Sequence, residues 1–318
     1  MSIRLRPLAS WVAAHPVTSL VAFFAVFPFL VPHTSLATQV LTYGLFALGF
    51  NLLYGYTGLL SFGHAAYYGL GAYGTGIALA KLKITSLWLA LGAGLGAAAL
   101  GGVVAGFFCL RRRGIYFAML TLAFAQLLYF IAFHLAEWTG GDDGLRGIPL
   151  HPLSLLGVSV SLRSPLAFYY FTFALVILAM AALKRILDSP FGTVLQAIRE
   201  NSDRAVACGY DINRVKLLSF VFSAAFAGLA GALDALRLTV VPVDALYWTT
   251  SGQVVIMTLL GGAGTFFGPF VGAATYLMLA DRLSIFFEFW PLVIGVIFMA
   301  FVIFLPKGIW GTLLAKVR

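Results

Sequence analysis

Few residues in the apolar runs of this 318-residue chain could do chemistry. His64 is one: an imidazole can carry a proton along a pathway, or simply hydrogen-bond across two helices or face the interface. Asp234 and Arg237 stand at i and i+3 of one apolar run. They can pair with each other, or face a polar pathway, since charges inside membrane spans avoid lipid. His64 with Asp234 or Glu288 is the nearest approach to a catalytic set. The sequence contains no G-x-x-x-x-G-K-[ST] phosphate loop, no H-E-x-x-H and no G-x-S-x-G. An enzyme site, ATP hydrolysis by this chain alone and a bound metal or cofactor are therefore not expected.

The elements that must hold these residues follow from composition. Hydrophobic residues make up 61% and charged residues 10% of the chain, and its mean hydropathy is +0.98. A soluble domain carries about 25% charged residues. The composition predicts an all-α polytopic membrane protein, because backbone polar groups in lipid must be satisfied internally. The alternating ten-residue segments of an outer-membrane barrel are absent. The net charge of +9 reads as the basic bias of cytoplasmic loops, not as nucleic-acid binding. Cys109 and Cys208 fall near predicted cytoplasmic ends and have no zinc spacing, so neither a disulfide nor a metal site is expected. Arg4 and Arg6 precede a first span read as uncleaved.

About ten hydrophobic segments follow, some short or broken: about Val17 to Val31, Leu36 to Tyr54, Ser61 to Ala80, Leu87 to Leu110, Ile115 to Ala136, Leu166 to Leu183, Leu217 to Val240, Gln253 to Leu260, Phe266 to Leu283 and Phe289 to Leu305. Several are shorter than the roughly 20 residues of a straight span. Basic residues cluster at Arg111 to Arg113, from Lys184 to Lys216, and at the termini (Arg4, Arg6, Lys316, Arg318). Ten crossings with both termini cytoplasmic put every cluster inside. If the eighth segment is re-entrant, the last loops change sides. The chain is then a single transmembrane domain over residues 1–318. Its loop from about 137 to 165, with Glu137, Asp142 and Asp143, lies outside as a lid, a docking surface or a connector. Its loop from about 184 to 216 lies inside.

"GYTGLLSFGHAAYYGLGAYGTG", Gly55 to Gly76, is the least helix-like apolar stretch. Glycine costs roughly 1 kcal/mol against alanine in a helix interior. Gly69, Gly71, Gly74 and Gly76 suit close helix packing. Gly55, Gly58 and Gly63, with Ser61 and His64, suit a helix break near Thr57 to Gly63 that lines a cavity. "GGAGTFFGP", with Gly261, Gly264 and Gly268, repeats the phrase after another apolar segment. Paired glycine-broken segments point to an internal repeat and a transport pathway. Gly58, Ser61, His64, Tyr67, Tyr68, Asp234 and Arg237 are its candidate residues.

"DSPFGTVLQAIRENSDRAVACGYDINRVKLLSF" supplies a helix from about Thr193 to Ala207, with Val194, Ala197 and Ile198 on one face and Gly209 as a stop. Alone, it is equally a docking helix for a partner groove or a solvated connector.

"GYTGLLSFGHAAYYGLGAY", "TGGDDGLRGIP", "SPFGTVLQAIRENSDRAVACG", "FSAAFAGLAGAL", "GGAGTFFGPFVGAA" and "LPKGIWG" run in order from residue 55 to residue 311. They resemble the permease subunits of ABC importers of the branched-chain amino acid type, in particular the LivM-like member of the pair. The resemblance implies a second, LivH-like permease, two ATP-binding subunits that use ATP and Mg, and a periplasmic binding protein, in a bacterial inner membrane. It implies that about Ser189 to Gly209 is the coupling helix docked on the ATPase, with Ala197, Arg199, Glu200, Asn201, Arg204, Ala205 and Gly209 in it. Asp142 and Asp234 depart from the family's pattern. The departure at Asp234 widens the expected solute from aliphatic amino acids to other amino acids, amides or organic acids. An ion-coupled secondary transporter is the alternative.

Overall fold

The computed structural model describes residues 16–31, 33–155, 158–286 and 288–317. Arg4, Arg6 and Arg318 lie outside the described residues. Ten helices correspond to the ten apolar segments: α1 Pro16–Leu30, α2 Thr34–Asn51, α3 His64–Ala80, α4 Leu87–Cys109, α5 Ile115–His134, α6 Pro165–Leu187, then, after two short helices α7 Pro190–Glu200 and α8 Ser202–Ala207, α9 Ile212–Leu238, α10 Trp248–Gly261, α11 Gly268–Phe286 and α12 Trp290–Phe304, followed by α13 Gly308–Val317. Among the described residues, six helical stretches are long and apolar enough to cross a membrane: 34–56, 87–109, 115–134, 165–187, 212–238 and 290–313. α10 has 14 residues, about 21 Å at the helical rise, against an apolar core of about 30 Å.

α2, α3 and α9 form the centre. Nearly every residue of α2 from Ala37 onward is buried, whereas α4 and α5 expose Leu100, Phe108, Met119 and Phe130. Small residues let α3 touch both α9 and α4. A Cβ on Gly71 would fall 2.0 Å from the Gly228 carbonyl oxygen, and one on Gly94 would fall 2.5 Å from that of Gly71. α3, α4 and α9 therefore meet backbone to backbone, the use expected of small residues in membranes.

One element adds to the sequence reading and one departs from it. The 137–165 loop carries short strands. Its β1, Leu145–Arg146, pairs antiparallel with β4, Val240–Val241, after α9, and β2, Leu153–Leu155, pairs with β3, Val158–Val160. Leu145 and Ile148 are buried, so this loop is fastened to the end of α9. The predicted helix from Thr193 to Ala207 is broken at Asn201, whose φ of −156° and ψ of 101° are extended. The Asn201 carboxamide oxygen accepts from the backbone N–H of Asp203 and Arg204 at 3.1 and 3.0 Å. It thereby caps α8, the ordinary use of asparagine before a helix.

Candidate functional site

The chain breaks its helix where glycines accumulate. α2 widens into a π-helical turn over Leu52–Tyr56. An irregular segment follows to Gly63, and α3 starts at His64. Gly58 has φ +78°, a conformation that glycine adopts without steric cost. Gly63 touches the α5 backbone: a Cβ there would fall 2.0 Å from the Thr121 carbonyl oxygen. The second break, between α10 and α11, has φ +116° at Gly262 and +78° at Gly264.

The two breaks meet. Asn51 Nδ2 donates to the Thr265 carbonyl at 2.8 Å, and the Gly264 N–H donates to Asn51 Oδ1 at 2.8 Å. Arg199 Nη1 donates to the Gly55 carbonyl. One carboxamide and one guanidinium thus satisfy backbone groups that broken helices leave open. The "LPKG" end seats on the second break, since a Cβ on Gly308 would fall 2.4 Å from Gly262 Cα.

Beside the junction, a cleft of about 430 Å³ is lined by residues that include Gly58, Arg112, Arg113, Arg199, Asp211 and Lys216. Its cations come from the α4–α5 turn, α7 and the start of α9. Arg113 also reaches Asp203 of α8 at 3.7 Å. This is the basic end of the molecule.

Toward the opposite end lies a second, larger cavity of about 640 Å³. Gln39, Tyr43, Tyr68, Asp234, Arg237 and Asp244 are among its lining residues. Tyr68 Oη donates to Asp234 Oδ2 at 2.7 Å. Arg237 Nε donates to Asp234 Oδ1 at 2.7 Å, with the two side chains 12% and 8% exposed. Arg237 Nη1 reaches Ser35 Oγ at 3.3 Å. With Asp244, the lining carries two carboxylates and one guanidinium, a formal charge of −1. Such a wall can hold a neutral zwitterion or a cation and disfavours an anion.

Ser61, His64 and Tyr67 separate the two openings and line neither of them. All three are buried. Ser223 Oγ donates to the Gly49 carbonyl at 2.5 Å, so it accepts from His64 Nε2 at 2.7 Å. Phe46, Phe50 and Tyr67 surround the imidazole with ring centroids 6.3, 5.1 and 5.5 Å away. His64 is a packed cross-helix bond in this conformation, the plain alternative to a proton path.

The sequence-predicted pathway residues therefore do not form one group. Tyr68, Asp234 and Arg237 share the larger cavity, and Gly58 lies in the basic cleft. Of the residues expected in a coupling helix, Ala197, Glu200 and Arg204 face solvent. Ala205 is buried, Gly209 ends the element with φ +86°, and Asn201 is spent on the cap. The buried face of α7 is Leu195 and Ile198 with Val194 beside them, not Ala197. Arg199 is exposed along the cleft but bonds inward to Gly55. Sequence reasoning missed Asn51, Tyr43, Gln39 and Asp244. The signal for Asn51 was a lone carboxamide in an apolar span, which needs a partner there. Asp244 sits in a short connection that only folding turns toward the cavity.

The family model for the branched-chain amino acid transport system permease component matches residues 33–305. The chain is 31% identical to the high-affinity branched-chain amino acid transport system permease protein LivM of Salmonella typhimurium, over 92% of this chain and 73% of that one. It is 30% identical to LivM of Escherichia coli K12, over 92% and 74%. It is also similar, at 25% identity over 85% of this chain and 91% of the other, to the LivH permease protein of Salmonella typhimurium. No solved structure matches. With the match covering both breaks, the cavity and the α7–α8 element, the chain belongs to the family of branched-chain amino acid transport system permease components.

Proposed function

We propose that this chain is the LivM-like membrane subunit of an ATP-driven importer in a bacterial inner membrane, with its termini and basic end in the cytoplasm. It pairs with a LivH-like permease and sits above two ATP-binding subunits, where ATP and Mg are bound and used. A periplasmic binding protein delivers the solute to the Asp234 cavity. The solute is a branched-chain or other amino acid, or a small amide. The negative balance of the cavity argues against organic acids, which the sequence alone left open.

The observation that carries this reading is the pair of openings with packed side chains between them. Access from one side at a time requires such a seal, and a partner that binds the two states unequally shifts the chain between them. In this reading the α7–α8 element beside the basic cleft receives that push. The sealed His64 speaks against a self-sufficient ion-coupled carrier.

Proteoliposomes test the reading. The chain alone is compared with the chain co-assembled with the neighbouring permease and ATP-binding subunits, with the binding protein supplied. ATP-dependent uptake of labelled leucine only by the full set is the expected result. Uptake by the chain alone, driven by an ion gradient, overturns it.

A further inference from the structure

We infer that Arg199 is a positioning residue that ties the coupling element to both broken helices, and is not part of the surface presented to the ATPase. This inference deepens the importer reading and rests on it for its function, though not for its geometry.

Three observations carry it. Arg199 is the penultimate residue of α7, and its Nη1 donates to the Gly55 carbonyl. That carbonyl belongs to the π-helical turn that ends α2. The same guanidinium lies against the second break, because a Cβ on Gly264 would fall 2.9 Å from Arg199 Nη1 and 3.2 Å from the Gly55 oxygen. Gly58 is open to the Arg199 stem: a Cβ there would fall 3.3 Å from Arg199 Cγ. Asn51, one helical turn from Gly55, completes the link by holding Gly264 and Thr265. α7 is thus connected to the end of α2 and to the break between α10 and α11 through two side chains and backbone groups.

The position of the contact gives it a role that Glu200 and Arg204 do not have. All three are exposed, but of them Arg199 is the one whose side chain bonds to a broken helix. Arg199 faces the break, so a displacement of α7 pulls on Gly55 and, through Asn51, on the start of α11. An arginine suits this contact because its planar fork can hold a carbonyl while its stem packs on Gly58. A lysine keeps the charge and one donor but lacks the fork. The expected order is therefore arginine, then lysine, then alanine. A residue used only for charge would show lysine equal to arginine.

Two measurements test the tie. In the purified chain in detergent, amide hydrogen exchange is followed over residues 55–63 and 262–266. Arg199→Ala should speed exchange in both segments at least fivefold, while Glu200→Ala leaves both unchanged. Acceleration in neither segment, or equal acceleration by both variants, overturns the tie. In the complete transporter in proteoliposomes, labelled-leucine uptake is divided by ATP turnover. Arg199→Ala should keep turnover within about twofold and lower uptake per ATP at least tenfold, with Arg199→Lys between. Uptake and turnover falling in proportion would make Arg199 a docking residue and overturn its positioning role. A wild-type complex without ATP-dependent uptake of leucine, of any other amino acid or of a small amide would overturn the importer reading, while the exchange measurement still decides the tie.

Discussion

The Asp234 cavity and the Asn51 junction satisfy buried polarity in opposite ways. In the cavity the polar atoms are side chains: a carboxylate held by one phenol and one guanidinium. At the junction they are mostly backbone groups freed by breaking helices, caught by Asn51 and Arg199. Side-chain polarity can be re-paired with a solute and leaves the helices whole. Backbone polarity fixes where chain segments end and cannot be re-paired without moving them. The first arrangement suits contact with a substrate, and the second suits transmission of movement between elements.

The largest expected effect separates the breaks from the cavity. Gly63→Leu places a side chain on the Thr121 backbone, where no rotamer relieves the overlap. A loss above about 4–5 kcal/mol, the exceptional range for one substitution, is expected, with almost no monodisperse protein on gel filtration. Gly58→Ala is milder. It strains a positive φ by about 1–2 kcal/mol and crowds Arg199, so assembly should persist while uptake falls. Equal recovery of the two variants would show that the first break is not packed against α5 as described.

Asp234→Ala comes next. It strands Arg237 in a mostly buried site, and breaking such a pair costs about 3–5 kcal/mol. Thermal unfolding in detergent should register the loss. The double variant Asp234→Leu with Arg237→Leu should regain most of the stability, since replacing a buried pair by apolar groups is often neutral, yet still lose uptake. Full uptake in the double variant would remove the cavity from the pathway and erase the contrast between the two regions.

Asn51→Leu leaves the Gly264 N–H and the Thr265 carbonyl without their partner, at about 1–3 kcal/mol for each unsatisfied group. Exchange should rise at Gly264 and leave the Tyr68–Asp234 region unchanged. A rise in both regions would mean that they are one cooperative unit. Smallest is Asn201→Ala, which removes the α8 cap at about 1 kcal/mol. Circular dichroism will barely change, but exchange at Asp203 and Arg204 should increase at least threefold.

Parts of this architecture were legible in the residues themselves. Apolar length located the ten helical segments, though helix starts moved by several residues where polar side chains continue a helix, as at Asn213 to Lys216 before the seventh apolar run. Glycine spacing separated the packed stretch from the break, because a helix that loses Cβ atoms on one face can approach its neighbour and a cluster of glycines weakens it. Asp234 and Arg237 at i, i+3 implied their pairing, since that spacing puts both on one helix face.

The grouping of the candidate residues was not legible. Gly58, Ser61, His64, Tyr67 and Tyr68 are close in sequence, yet they divide among the basic cleft, the packed middle and the Asp234 cavity. A rise of about 1.5 Å per residue carries Tyr68 away from the break, and its phenol then meets an α9 residue 166 positions later. Arg199 reads as a surface charge in any window around it. Only the return of α7 beneath α2 turns it toward Gly55. Sequence by itself determined the membrane class, the helical segments, the breaks and the family, because these depend on local composition and order along the chain. Tertiary structure alone decided which polar groups meet, because a hydrogen bond between residues more than 140 positions apart depends on how helices pack and not on either neighbourhood.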